Sequence, residues 1–202
     1  MNRTPFAILA VLLALLASSA AFSAWAAGGD DFAPAKGQWA WETIDGERAL
    51  KVDGSRNTAA PREHFPIALS TGTNDFRSGE VSVRFKPLSG RSDQAGGIMF
   101  DYRQNGDYLV LRANALESNL NLYRYASGRR TPLKEVANAP APAGVWHELR
   151  LVIDGSKLRG YLDGKELLSF DLGREVSGGV GLWSKDDSVT VFKDFNVTSA
   201  KQ

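Results

Sequence analysis

The feature that most constrains this chain is an alternation of period two between core-type and polar side chains, repeated along most of its length. Val81, Val83 and Phe85 alternate with Ser82, Arg84 and Lys86, and Leu120 and Leu122 with Asn121 and Tyr123. Leu149, Leu151 and Ile153 alternate with Arg150 and Val152, and Leu158, Gly160 and Leu162 with Arg159, Tyr161 and Asp163. Successive side chains of a β-strand point to opposite faces, so each run places one face in a core and the other towards solvent or a ligand. Asp-Gly pairs at Asp45, Asp53, Asp154 and Asp163, with Asn105-Gly106 and Ser127-Gly128, accept positive φ and suit tight turns between antiparallel strands. About a dozen strands follow, including 39–44, 80–86, 107–114, 119–126, 145–154, 165–171 and 188–197, and no run of about ten residues carries a helical stripe. So many strands in one short chain must stack or close. The expected fold is all-β, a two-sheet antiparallel jelly-roll sandwich, with a barrel as the second choice.

The N-terminus departs from this pattern. Asn2-Arg3-Thr4 is followed by an apolar run from Phe6 to Leu16 and by small residues ending Ala24-Trp25-Ala26. That is the order of a secretory signal, with an apolar core too short to span a membrane. Residues 1–26 are therefore expected to be a signal peptide, 27–37 a flexible leader and 38–198 one sandwich domain. The expected location is secreted or periplasmic, with no membrane span after signal removal. Removing residues 1–26 takes one arginine from the 24 basic side chains and nothing from the 23 acidic ones, so the remaining chain is balanced. Balance argues against a nucleic-acid partner and for an uncharged ligand met by contact chemistry. The chain has no cysteine, which excludes disulfides, thiol nucleophiles and Cys-type metal sites. Its two histidines, His64 and His147, lie far apart and leave carboxylates as the catalysts to consider.

Several segments combine into a family resemblance. Gly96-Gly97-Ile98-Met99-Phe100-Asp101-Tyr102-Arg103 leads through an Asn-Gly turn to Asp107-Tyr108-Leu109-Val110-Leu111-Arg112-Ala113-Asn114. Trp146-His147-Glu148-Leu149-Arg150, Tyr161-Leu162-Asp163-Gly164-Lys165 and Gly178-Gly179-Val180-Gly181-Leu182-Trp183 follow. This resembles the concanavalin A-like lectin/glucanase superfamily, within it secreted bacterial proteins related to laminin G-like and 3-keto-disaccharide hydrolase domains. The resemblance implies a carbohydrate-related role. The Glu-x-Asp-x-Glu strand of the superfamily's glucanases is missing, and Gln94-Ala95-Gly96-Gly97 stands where the hydrolase type carries Asn-Ser-Gly.

Sugars are held by flat aromatic faces and by polar groups that bond paired hydroxyls. Asn121, Tyr123 and Tyr125 share one strand face, as do Tyr108, Val110 and Arg112, and likewise Asp101 and Arg103. The segment from Arg112 to Asn119 breaks the alternation and gathers Arg112, Asn114, Glu117 and Asn119; Trp183, Lys185 and Asp187 form a further group. The ligand-binding candidates are thus Arg112, Asn114, Glu117, Asn119, Tyr123, Trp183, Lys185 and Asp187. For the Asn residues the alternative is bonding to their own backbone; for Trp183 it is packing beneath a loop. The leading expectation is a carbohydrate- or glycoconjugate-binding sandwich without a catalytic motif. The alternatives are a glycoside hydrolase or lyase, pairing Glu117 with Asp187 or Asp101 across a scissile bond, and a structural, protein-binding laminin G-like module. No cofactor is expected; structural calcium on Asp30-Asp31, Asp186-Asp187 or Asp194 is the one metal option that the oxygen ligands leave open.

Overall fold

The computed structural model describes residues 32–57 and 64–200. Its strands in chain order begin with β1 (Phe32–Lys36), β2 (Trp39–Ile44), β3 (Glu47–Asp53), β4 (Ile67–Ser70), β5 (Gly79–Ser89), β6 (Ala95–Tyr102) and β7 (Tyr108–Asn114). They continue with β8 (Asn119–Ala126), β9 (Arg129–Ala137), β10 (His147–Asp154), β11 (Lys157–Leu162), β12 (Lys165–Asp171), β13 (Gly179–Trp183) and β14 (Val189–Ser199). Two seven-stranded antiparallel sheets result, ordered β1-β4-β13-β6-β7-β8-β9 and β12-β11-β10-β5-β14-β3-β2. The jelly-roll sandwich expected from the alternation is the fold observed, and the barrel is not.

The turn chemistry explains much of the topology. Asp45-Gly46, Ser127-Gly128 and Asp163-Gly164 hold positive φ at both residues and close the β2–β3, β8–β9 and β11–β12 hairpins. Asp53-Gly54 behaves differently and makes no hairpin, since β3 and the following β4 belong to opposite sheets. A Cβ on Gly54 would meet the Asp186 carbonyl oxygen at 2.5 Å, so close backbone approach is the reason for that glycine.

One departure from expectation concerns the leader. Residues 32–36 of the expected flexible segment 27–37 form the edge strand β1, antiparallel to β4, with a register shift between Pro34 and Lys36. Phe-Ala-Pro-Ala-Lys has no alternation, and its proline suits an edge, where one side of the strand needs no ladder partner. The expected signal peptide, and Asp30-Asp31 with it, lies outside the described residues.

The main core fills the space between the sheets. Ile98, Phe100, Leu109, Leu111, Leu120 and Leu122 from one sheet meet Val81, Val83, Phe85, Leu149, Leu151 and Leu158 from the other. A second cluster, including Phe65, Met99, Tyr108, Val110, Tyr123 and Trp183, lies on the opposite face of β6, β7, β8 and β13. Every residue of β7 is therefore buried. It is this doubly covered part of the first sheet that positions the polar side chains discussed next.

Candidate functional site

In register, Arg112 of β7 stands between Gly97 of β6 and Asn121 of β8, and Asn121 in turn faces Glu135 of β9. Alternation puts Arg112, Asn121 and Tyr123 on the outer face, away from Leu111, Leu120 and Leu122. A register shift between Leu122 and Tyr123 then brings Pro132 opposite Tyr123 and Arg130 opposite Tyr125. The side chains converge on a cleft of about 280 Å³, lined by Arg112, Glu117, Asn119, Asn121, Tyr123, Arg130, Pro132, Glu135 and Lys185.

The Tyr123 hydroxyl is the hub of this cleft. It accepts from Asn121 Nδ2 at 2.8 Å and from Arg112 Nη2 at 3.2 Å, and it donates to Glu135 Oε1 at 3.4 Å. Arg112 is only 1% exposed, yet both of its Nη atoms donate to Glu117 Oε2, at 3.0 and 2.8 Å. Asn119 Nδ2 donates to the same oxygen at 3.0 Å. Partial burial alone would raise the Glu117 carboxyl, but the charge of Arg112, the Asn119 bond, and the charges of Lys185 and Arg130 outweigh it and hold the group below its ordinary range. Glu117 is thus an ionised acceptor, poorly suited to giving up a proton as a general acid.

Beneath the cleft lies a buried charged layer. Lys185 forms a close ion pair with Asp93 and a second contact to Asp186 at 3.4 Å. Burial pushes the Asp93 carboxyl above its usual range, and Lys185 and Arg112 oppose that rise without reversing it. Asn114 Nδ2 donates to Asp93 at 2.6 Å, while its Oδ1 accepts from the Leu116 and Glu117 backbone N–H groups at 2.9 and 3.4 Å. These bonds fix the turn that carries Glu117.

The structure sorts the sequence-derived candidates. Arg112, Glu117, Asn119, Tyr123 and Lys185 share the cleft. Asn114 is buried under it and serves the loop backbone, which is the alternative reading given for the asparagines. Trp183 lies on the face of β13 opposite Val180 and Leu182 but is wholly buried, its indole N–H donating to the Tyr108 hydroxyl at 3.2 Å and its ring stacked on Phe65 at 5.5 Å. It is packing, not a ligand platform.

Asp187 lines a separate cleft with Ser55, Asn57 and Arg91. Its oxygens accept from the backbone N–H groups of Arg91, Ser92 and Asp93. Partial burial would raise this carboxyl, but those three amides more than compensate and keep it below its usual range. Asp101 sits elsewhere again, bonded to Arg174, Arg103 and the Ser177 backbone. The pairs Glu117–Asp187 and Asp101–Glu117 are therefore not assembled on one cleft, and the second carboxylate beside Glu117 is Glu135.

His147 is a buried strand residue, as expected, held between Asp163 at 2.7 Å and the Pro142 carbonyl at 3.1 Å. Among the described residues no group of three or more metal-type side chains gathers, and Asp186 and Asp187 are engaged as described. Sequence reasoning missed Arg130, Glu135 and Asp93. The first two reach the cleft through the β8–β9 register, and Asp93 lies in a connection without periodicity.

No protein-family model matches the chain, and no curated protein sequence does either. Solved structures do. A carbohydrate-binding module, CBM66, from Bacillus subtilis superposes with a TM-score of 0.65 at 18% identity, over 82% of this chain and 93% of the module. A β-glucanase from Bacillus licheniformis gives 0.54 at 10% identity, over 81% and 89%. An alginate lyase of polysaccharide lyase family 7 gives 0.51 at 14% identity, over 80% and 82%. All three are concanavalin A-like jelly-roll sandwiches, and so is this chain.

Proposed function

We propose that this protein is a glycan-binding β-sandwich of the cell envelope or the extracellular space, and that the cleft over β7, β8 and β9 holds the sugar. One observation carries the reading: polar side chains of three adjacent strands and two connecting loops converge around the hydroxyl of a buried tyrosine on the outer face of a rigid sheet. Rigid scaffolds with a few placed polar groups and an aromatic surface are what small hydroxylated ligands require. The similar folds of a carbohydrate-binding module and a β-glucanase support a saccharide over other ligands. The order of basic, apolar and small residues in 1–26 supports export.

Glu117 is not placed to serve as a glycosidase's general acid. A glycosidase needs one carboxyl that keeps its proton, whereas Glu117 is surrounded by cationic and amide donors. Glycan-array screening followed by calorimetry tests the proposal. Saccharide binding is expected, with Tyr123→Phe weakening it roughly tenfold by removing the hub hydroxyl. Absence of binding to every saccharide, or full affinity in Tyr123→Phe together with Asn121→Ala, would rule the cleft out.

A further inference from the structure

Two guanidinium groups in the cleft lie against the same ring. The Arg112 guanidinium carbon is 5.5 Å from the Tyr123 ring centroid and that of Arg130 is 4.3 Å from it. Like charges gathered in a partly dry site repel one another unless something compensates them. Glu117 compensates Arg112. Arg130 has the faces of Tyr123 and Phe65 as neighbours, and among the described residues no carboxylate pairs with it. Lys185 adds a third cation to the lining, compensated from below by Asp93 and Asp186.

The hydrogen-bond inventory points the same way. Arg112 Nε and Arg130 Nη1 are buried and find no hydrogen-bond partner among the described residues, and the same is true of Asn119 Oδ1. All three residues line this one cleft. Buried charged donors without acceptors are among the costliest groups a fold can carry. Two such donors, each on a guanidinium and both near one ring, match a group that offers two acceptor oxygens and a negative charge. A neutral hydroxyl answers the hydrogen bonds one at a time and brings no charge to a lining that holds three cations, Arg112, Arg130 and Lys185, against two carboxylates, Glu117 and Glu135.

We infer that the cleft selects an acidic glycan unit, whose carboxylate or sulfate oxygens pair with the Arg112 and Arg130 guanidinium groups as these side chains turn their buried N–H groups towards the opening, while a ring hydroxyl donates to Asn119 Oδ1. This rests on the glycan-binding reading of the same cleft. It departs from the uncharged ligand suggested by the balanced chain, because the charge a ligand meets is that of the cleft and not that of the whole protein.

The test titrates the protein, at one low ionic strength, with oligogalacturonate, carboxyl-reduced oligogalacturonate, dextran sulfate and dextran. One or both anionic probes are expected to bind roughly ten- to a hundredfold more tightly than their uncharged counterparts, the responding pair identifying carboxylate or sulfate. Arg130→Met is expected to remove about tenfold of that preference. Arg159→Met, an equal charge loss on the exposed side of β11, is expected to leave it intact. Arg130→Gln replaces Arg130→Met if the latter lowers the melting temperature. Equal affinity for charged and uncharged probes overturns the inference and leaves the glycan-binding reading standing. Equal weakening by Arg130→Met and Arg159→Met also overturns it, since the attraction would then be diffuse. Failure of all four probes, with no other saccharide bound, overturns both.

Discussion

The outer faces of the two sheets are built on opposite principles. In the second sheet, β10 alternates buried Leu149, Leu151 and Ile153 with solvent-facing Glu148, Arg150 and Val152, and its charges are laced at the surface. Arg150 pairs with Glu80 at 3.0 Å and lies 3.8 Å over the Tyr161 ring. In the first sheet, β7 is buried on both faces, and Arg112 and Asn114 on its outer side have no solvent to fall back on. A charge on the first kind of face is optional, because water replaces a lost partner. A charge on the second kind is held by a specific set of partners, and removing one leaves the rest uncompensated. Folding alone requires only the first kind; the second lies in and beneath the cleft that we propose holds a glycan.

The sharpest way to break that contrast is to remove one cation from each face. Lys185→Met leaves Asp93, 1% exposed, without its close partner. A loss of about 3–5 kcal/mol is expected in urea unfolding. The loss should shrink in mild acid, because the Asp93 carboxyl already lies above its usual range and takes up a proton there. Arg150→Met on the second sheet is expected to cost no more than about 1 kcal/mol. Equal costs would mean that the buried layer under the cleft contributes nothing special.

A smaller effect comes from the asparagines. Asn114→Ala deletes one bond to Asp93 and two to the turn that carries Glu117, and should cost about 1–3 kcal/mol. On β14 of the second sheet, the exposed Asn196 side chain bonds Thr198, and Asn196→Ala should fall within about 0.5 kcal/mol of wild type. Thermal melts of the two variants side by side decide this.

The contrast also explains what was legible in the sequence. The second sheet could be read almost residue by residue, since Leu149 to Ile153 and Asp163-Gly164 carry both the face and the turn locally. Five cleft residues were legible too, because Arg112, Glu117, Asn119 and Tyr123 are neighbours across one hairpin and Lys185 follows the next outer-face strand. What covers a face is not local. Trp183 alternates away from Val180 and Leu182 and so falls on the outer side of its strand, but Phe65, from a distant connection, stacks over it and turns a platform into packing. Arg130 enters the cleft only because β8 and β9 slip in register at Tyr123, an event that leaves no periodic trace. Asp93 becomes important only by meeting a lysine 92 positions away.

The smallest effect separates the two faces by their response to acid and salt. Glu117 on the first sheet and Asp45 beside the second both have carboxyls below their ordinary values, 4.5 and 3.8. Glu117 is lowered against its partial burial by Arg112, Asn119, Lys185 and Arg130, whereas Asp45 is lowered mainly by its bonds to Lys86 and the Trp146 indole N–H. A carboxyl lowered by folding contributes stability that is complete above its unfolded value and lost as pH falls through its folded one. Glu117→Gln should therefore flatten the acid limb of the stability curve below about pH 4.5, and Asp45→Asn should flatten it below about pH 3.8. Salt distinguishes them. The Asp45 side chain is itself 57% exposed, so about 0.5 M NaCl should erase most of its effect. Arg112 is buried, and most of the Glu117 effect should survive the same salt. If both effects vanish together, the guanidinium behind Glu117 is as well screened as any surface cation, and the first sheet's outer face is electrostatically no different from the second's.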